Sequence, residues 1–138
     1  MSLGTWVLVA AVAAGVLFSL AKVWWDGRFR KVVTREVDGV ERVSAAEVTL
    51  LQFSSAFCAP CRATRRTLAE VEGMVDGVRH VELDAESHLE LVRRLDILRT
   101  PTTLVLDRTG AVVKRASGAP RKPDVIAALA TAFDRQTQ

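Results

Sequence analysis

The chain has 138 residues, 49% of them hydrophobic and 25% charged, so it is long enough for one globular domain and a short additional segment. Its 19 basic and 16 acidic residues give a net charge of +3 that is spread along the sequence. A charge this small and scattered is typical of a mixed solvated surface, and we expect no nucleic-acid partner.

The N-terminus carries an uncharged stretch from Leu3 to Ala21, LGTWVLVAAVAAGVLFSLA. About 20 apolar residues in a helix cross the hydrocarbon core of a bilayer, and this stretch just suffices. Trp6 near one end, and Trp24 and Trp25 beyond the other, fit the two membrane interfaces. We therefore predict that residues 1–25 are a single-pass transmembrane anchor.

A cleaved secretory signal peptide is the main alternative to an anchor. Such a peptide begins with a basic region, which MSLGTW lacks, although Ser19-Leu20-Ala21 has the form of a cleavage site. Basic residues near the stretch lie only on its C-terminal side, at Lys22, Arg28, Arg30, Lys31 and Arg35. The positive-inside rule then predicts that the remaining chain is cytoplasmic, with an extracytoplasmic location as the alternative.

Residues 26–47 are predicted to be a tether, and a domain is predicted over residues 48–138. Its first elements in chain order are a buried strand at Val48–Phe53, a helix at Ala59–Met74 and a strand at Val78–Asp84. A short helix with Leu91, Val92 and Leu95 turned inward follows.

The last elements are two strands and a helix. The strands are Thr102–Leu106 and Ala111–Ala116, joined by a turn at residues 107–110, and Pro123 opens the helix. Its predicted buried stripe consists of Val125, Ile126, Leu129 and Phe133. The element order predicts an α/β fold: parallel crossovers in the first half, an antiparallel final pair, and a mixed central sheet flanked by helices in three layers.

The only cysteines, Cys58 and Cys61, lie where the first strand of the domain passes into a helix. The unpaired N–H groups and the dipole at a helix start stabilise a thiolate, so we expect the pKa of Cys58 to lie below that of a free thiol. Pro60 fits the first helical turn, where its missing N–H has no cost. Cys61, one turn on, can bond to Cys58, an arrangement that suits attack by Cys58 and resolution by Cys61.

Other uses of the two cysteines remain as alternatives. A structural zinc site normally has four ligands, for which only His80 and His88 remain, and a c-type haem site needs histidine where Arg62 stands. Handling of soft Cu(I) by the two thiols and a redox-silent membrane adaptor stay open. We expect no resident metal and no cofactor other than the redox-active disulfide.

The second informative motif is Thr100-Pro101, which precedes the strand TTLVL. Proline removes a hydrogen bond from a sheet, so it belongs at the start of a strand. On propensity alone we expect a trans Thr100–Pro101 bond, because only about 5–6% of such bonds are cis.

Together, the FCAPCR motif after a strand and the later LRTPTTLVLDRTG motif resemble the thioredoxin family from about Val48 to Phe133. Residues 57–61 stand where thioredoxins carry Trp-Cys-Gly-Pro-Cys, and Thr100-Pro101 matches the family's cis-proline site. The resemblance implies a thioredoxin-like fold in which Cys58 is the nucleophile and Cys61 the resolving thiol.

The resemblance also assigns supporting residues. It implies that Phe57, Ala59 and Pro60 surround the cysteines, that Pro101 is cis and packs against them, and that the backbone of Thr100 pairs with an extended substrate.

Two positions depart from the family pattern. Gln52 stands where thioredoxins usually hold a buried aspartate, and His80 corresponds to the family's partner lysine. We hypothesise that His80 takes part in proton transfer to or from Cys61, because histidine titrates near neutral pH; a histidine merely packed in the sheet is the alternative. The missing aspartate, together with Phe57 where thioredoxins carry tryptophan, predicts a narrower range of substrates than that of a general reductase.

These observations predict a membrane-anchored thiol–disulfide oxidoreductase, acting as a reductase in the cytoplasm. Its expected partners are protein thiols or disulfides, an electron donor that the sequence does not identify, and the membrane.

Overall fold

The computed structural model describes residues 2–31 and 46–138. Residues 32–45, which make up most of the predicted tether, lie outside the described residues. The described elements are α1 Leu3–Trp25, β1 Arg30–Lys31, β2 Val48–Ser54, α2 Ala59–Met74, β3 Val78–Asp84, α3 Leu89–Arg94, β4 Thr102–Leu106, β5 Val112–Ser117 and α4 Lys122–Gln136. The predicted α/β fold class is confirmed, and α2, β3 and β4 have the predicted bounds.

The strands form one mixed sheet in the order β1-β5-β4-β2-β3. β2 and β3 are parallel, as the first crossover predicts, whereas β4 is antiparallel to β2. The expectation of a second parallel crossover through α3 is therefore wrong. β4 begins at the edge of the sheet where β2 and β3 end, and the six-residue helix α3, about 9 Å long, lies in the connection before it.

Two apolar clusters cover the two faces of the sheet. The face under α2 and α4 buries Val48, Leu50, Leu68, Val71, Val78, Val105, Val113, Val125, Ala128, Leu129 and Ala132. The face under α3 buries Leu51, Phe53, Leu95, Ile97, Leu104, Leu106 and Val112. Each large side chain buried in this way contributes about 1.5–3 kcal/mol, so these clusters fix the positions of the helices on the sheet.

The buried face of α4 differs in part from its predicted stripe. Val125 and Leu129 are buried as predicted, and Phe133 packs against the cluster, but Ile126 is exposed. Ala128 takes the interior position instead, because it lies one helical turn from Val125 on the same face.

The helix α1 is separate from both clusters, since none of its residues is buried. Within residues 2–31 and 46–138 it is the one helix long and apolar enough to cross a membrane, and a signal sequence has the same length and composition. Trp6, Trp24 and Trp25 are exposed on its surface, and the guanidinium of Arg28 lies 4.2 Å from the centre of a Trp24 ring.

The chain joins the sheet directly after α1. β1 pairs antiparallel with β5, and the Gly27 N–H donates a hydrogen bond of 2.7 Å to the Ser117 carbonyl. Gly27 is buried with φ +80°, and a Cβ there would collide with the backbone carbonyl of Ala119. Residues 26–31 of the predicted tether are thus packed against the sheet.

This packing predicts opposite effects for two glycine substitutions. Gly27→Ala forces an L side chain into positive φ, which costs about 1–2 kcal/mol before any collision, so we expect a lower free energy of unfolding. Gly73→Ala lies on the open side of α2 and should raise it by about 0.5–1 kcal/mol. Urea unfolding of the full-length protein in detergent measures both. An unchanged midpoint for Gly27→Ala would show that the close approach is dispensable.

Candidate active site

The two cysteines form a disulfide at the start of α2. Cys58 is the N-cap residue, and the Cys61 N–H donates a hydrogen bond of 3.2 Å to Cys58 Sγ. The S–S distance is 2.05 Å, and the Cα atoms are 5.2 Å apart. Cys61 is 1% exposed while Cys58 is half-buried, so only one of the two sulfurs is accessible from outside.

The Thr100–Pro101 motif lies beside this disulfide. The antiparallel register sets Phe53 of β2 opposite Thr102 of β4, so the loop that leaves β2 adjoins the loop that enters β4. A hydrogen bond of 3.0 Å between the hydroxyls of Ser55 and Thr100 joins the two loops. The Thr100–Pro101 bond is cis, so the expectation from the resemblance is confirmed and the expectation of a trans bond from propensity is wrong.

Two hydrogen bonds to backbone carbonyls hold the cis-proline loop. The Gly118 N–H donates to the Pro101 carbonyl at 2.8 Å, and the Thr102 hydroxyl donates to the Arg99 carbonyl at 2.6 Å. Pro101 is buried, and Thr100 is half-buried.

Exposed apolar groups surround the accessible cysteine. Phe57, directly before Cys58, is fully exposed, and Ala59 and Pro60 are exposed as well. Leu98, two residues before Thr100, is 93% exposed. The surface at this edge is therefore able to contact apolar parts of another molecule.

Gln52 links the buried cysteine to His80. Its side chain is fully buried; its amide nitrogen donates to the Cys61 carbonyl at 2.9 Å, and its amide oxygen lies 3.0 Å from His80 Nε2. An amide oxygen only accepts, so this contact requires the His80 Nε2–H tautomer. The structure thus connects His80 with the backbone of Cys61 through one amide, whereas sequence reasoning treated Gln52 only as a missing acid.

The half-buried His80 imidazole favours its neutral form. Burial lowers the pKa of His80, and the positive charge of Arg65 adds to this effect, while Glu72 and Glu82 oppose it. A neutral imidazole has a lone pair that accepts a proton, so the group is able to receive and return one.

An ionic cluster that sequence reasoning missed lies next to this network. Glu82 is in register with Gln52 and accepts hydrogen bonds from Ser54 at 2.7 Å and from two nitrogens of Arg65 at 2.5 and 2.6 Å. The hydrogen bonds from Arg65 hold the pKa of Glu82 below its usual range, although burial opposes them. The alternation of side chains along β3 could have predicted this position, because Glu82 follows His80 by two residues and so lies on the same face of the strand.

Potential metal ligands are sparse in this region. Among residues 2–31 and 46–138, no group of three or more His, Cys, Asp and Glu side chains is placed to hold a metal ion. His88 is exposed, with Nδ1 2.9 Å from the Asp84 carbonyl oxygen. The chemistry that this arrangement offers directly is that of the two sulfurs.

The family model described as Thioredoxin matches residues 31–131. Three solved structures illustrate the similarity of the fold. A Malassezia sympodialis thioredoxin is 18% identical, with 75% of this chain and 96% of that chain covered and a TM-score of 0.57. A mutant thioredoxin from Halobacterium salinarum is 16% identical, with 72% and 87% covered and a TM-score of 0.62. A Schistosoma mansoni thioredoxin is 20% identical, with 64% and 81% covered and a TM-score of 0.56. No curated protein matches the chain in sequence.

The lowered pKa of His80 predicts a pH-dependent stability. As the pH falls, the unfolded chain binds a proton on this histidine near pH 6.5, whereas the folded chain binds it only at a lower pH. The free energy of unfolding should therefore fall as the pH drops below about 6.5. His80→Gln removes the titrating group and should flatten this slope. The stability contributed by the lowered pKa of Glu82 is present above about pH 4.5 and is lost as the pH falls further, so the loss that begins near pH 6.5 is assigned to His80.

Urea unfolding between pH 7.5 and 5.0 measures this slope. His88→Gln, at an exposed histidine, is the matched control and should keep the slope of the unmodified protein. Equal slopes for His80→Gln and the unmodified protein would contradict the assignment to His80.

Proposed function

Because the chain belongs to the thioredoxin family, we propose that it is a membrane-anchored oxidoreductase that exchanges its Cys58–Cys61 pair with the thiols and disulfides of protein substrates. The observation that carries this proposal is the disulfide at the start of α2, set beside the cis Thr100–Pro101 bond.

In the reducing direction, the reaction begins with both cysteines as thiols. The Cys58 thiolate attacks one sulfur of a substrate disulfide, that S–S bond breaks, and the departing substrate sulfur takes up a proton. Cys61 then loses its proton and attacks Cys58 Sγ, which forms the Cys58–Cys61 disulfide and releases the second substrate thiol. Two electrons pass from the pair to the substrate, and an external dithiol returns them.

The different burial of the two sulfurs supports this division of roles. Cys58 is the sulfur that another protein can reach, and the N–H groups of the first turn of α2 stabilise its thiolate. Cys61 is enclosed, so it is protected from other reactants and attacks only the neighbouring mixed disulfide.

The cis-proline loop offers a place for the substrate backbone. Within the described part of the chain, neither the N–H nor the carbonyl of Thr100 has a backbone hydrogen-bond partner. An extended substrate segment is proposed to pair with these groups, with Phe57, Ala59 and Pro60 contacting its side chains.

The His80–Gln52 contact supports the proposed role of His80 in proton transfer. Cys61 must lose a proton to resolve the mixed disulfide, and Gln52 cannot take one up. The neutral imidazole of His80 is able to accept a proton, and Gln52 holds it in one orientation.

The proposal also includes the side of the membrane on which the domain lies and the direction of electron transfer. The helix α1 is proposed to anchor the chain, and the basic residues after it favour a cytoplasmic domain. There the reducing thiol pool keeps the pair as a dithiol, so the protein acts as a reductase and receives electrons from a dithiol donor. Outside the cytoplasm, the same pair would maintain or oxidise extracytoplasmic thiols. No metal, organic cofactor or nucleic acid takes part.

The two sulfurs predict distinct phenotypes for the two cysteine variants. Cys58→Ser should reduce insulin no faster than buffer, because the attacking sulfur is gone. Cys61→Ser should also lose turnover but accumulate a mixed disulfide through Cys58, since nothing resolves it. Insulin turbidity and non-reducing electrophoresis of the full-length protein in detergent measure both effects. Insulin reduction by Cys58→Ser at the rate of the unmodified protein would contradict the proposal. One tightly bound Cu(I) per unmodified protein, lost in Cys58→Ser, would favour metal handling instead.

The role of His80 predicts a change in the pH dependence of exchange. In His80→Phe the imidazole is lost, so the rate of resolution at Cys61 should lose its dependence on a group that titrates near or below pH 6.5. Stopped-flow measurement of product release after mixed-disulfide formation, from pH 5 to 9, gives this profile, with His88→Gln as control. A profile identical to that of the unmodified protein would remove His80 from the mechanism.

A further inference from the structure

An ion pair connects the residue after α1 to the loop that carries the cis-proline. Asp26 follows α1 directly, and its carboxylate lies 2.9 Å from the Arg99 guanidinium. The same guanidinium nitrogen donates to the Ser117 carbonyl at 3.0 Å, and the N–H of Gly27 reaches that carbonyl as well. Since Arg99 immediately precedes Thr100, the membrane helix and the substrate-binding loop share these contacts.

The register of the sheet puts the disulfide at the same edge. Ser117 of β5 is opposite Thr102 of β4, which is opposite Phe53 near the end of β2, and Cys58 follows shortly after β2. β1 and β2 are three strand spacings apart, about 14 Å in all. The exit of the anchor and the catalytic pair therefore lie on one edge, a short distance apart.

The opposite edge of the domain lies much farther from the anchor. The turn at residues 107–110 joins β4 to β5 at the far ends of these strands. Strands of five to seven residues span about 17–23 Å, so this turn is about that much farther from the exit of the anchor than the catalytic edge is.

The surface between anchor and domain has the charge expected next to a bilayer. A cavity of about 300 Å³ lies there, lined by Trp25, Asp26, Arg28, Arg30, Arg99, Arg115 and Ser117. Among the described residues, the lining holds four guanidinium groups and one carboxylate, which places basic groups at the level where a membrane helix meets the lipid phosphates.

We infer that the catalytic edge of the domain faces the membrane, and that the substrates are disulfides of membrane proteins within about 20 Å of the bilayer surface. The inference rests on the proposed function and names its substrate class. A free tether over residues 26–47 would let the domain move by about 25 Å and tumble. The docking of Asp26 and Gly27 instead leaves no free linker between α1 and the sheet.

Energy transfer from the protein to lipid headgroups tests this orientation. One full-length protein carries Cys61→Ser and a fluorophore on Cys58; a second carries Cys58→Ser, Cys61→Ser and Arg108→Cys with the same fluorophore at the far turn. Both are reconstituted in phosphatidylcholine–phosphatidylglycerol vesicles that contain an acceptor-labelled lipid. We expect clearly higher transfer from position 58 than from position 108. Equal transfer, or higher transfer from 108, would overturn the inference.

A variant with a longer connection between α1 and the domain is the matched control for the contacts of Asp26 and Gly27. Insertion of 20 Gly and Ser residues between Trp25 and Asp26 leaves the domain unchanged but frees it from the membrane helix. The difference in transfer between the two positions should then disappear, and its persistence would show that docking does not orient the domain.

Two measurements on the unmodified full-length protein separate this inference from the proposed function. Its flotation with the vesicles reports the anchor, and its insulin reduction in detergent reports the exchange chemistry. If the unmodified protein floats and reduces insulin while the two labelled variants give equal transfer, the orientation alone is overturned. If it does not float, the anchor is removed together with the orientation, and if it floats without reducing insulin, the proposed activity is removed.

Discussion

The antiparallel pairing of β2 with β4 is the constraint on which the site depends. It sets the end of one strand beside the beginning of the other, so the helix start that carries Cys58 meets the loop that carries Pro101. Neither motif alone identifies a redox site, because a CxxC pair is compatible with several chemistries and a proline before a strand is common. Their juxtaposition, joined by the Ser55–Thr100 hydrogen bond, sets the cysteine pair beside the loop that we propose binds the substrate backbone.

A second consequence of the sheet is the polar path beneath the disulfide. Gln52, His80 and Glu82 project from neighbouring parallel strands on the face under α2, where the surrounding positions are apolar. Because unpaired polar groups are costly when buried, these side chains pair with one another and with α2: Gln52 with Cys61, and Glu82 with Arg65. An uncharged amide thus joins His80 to the backbone of Cys61. We propose that His80, on the neighbouring strand, is the titrating group of this protein, in place of an acid at the position of Gln52.

Much of this arrangement is predictable from the sequence, for local reasons. The helix at 59–74 has apolar residues at helical spacing, and the strand at 102–106 is a short run that is buried throughout. Pro60 and Pro101 mark where the two elements begin, and the predicted bounds agree with the structure. The direction of β4 and the pairing of β1 are not predictable in this way, because they depend on contacts between segments far apart in the chain. The predicted burial of Ile126 is wrong for a related reason. Helical spacing allows both Val125 and Ile126 on the inner face of α4, and only the packing of the helix on the sheet decides which is buried.

The central claim, that Cys58 and Cys61 form a reversible two-electron couple, is tested most directly by a redox titration. The full-length protein in detergent would be equilibrated with mixtures of reduced and oxidised glutathione, quenched with acid, and scored for free thiols by mass spectrometry. The account predicts a single reversible transition in which both thiols appear together, reached equally from the oxidised and reduced sides. A pair that stays fully oxidised or fully reduced across all mixtures, or that accumulates only glutathione adducts, would contradict it.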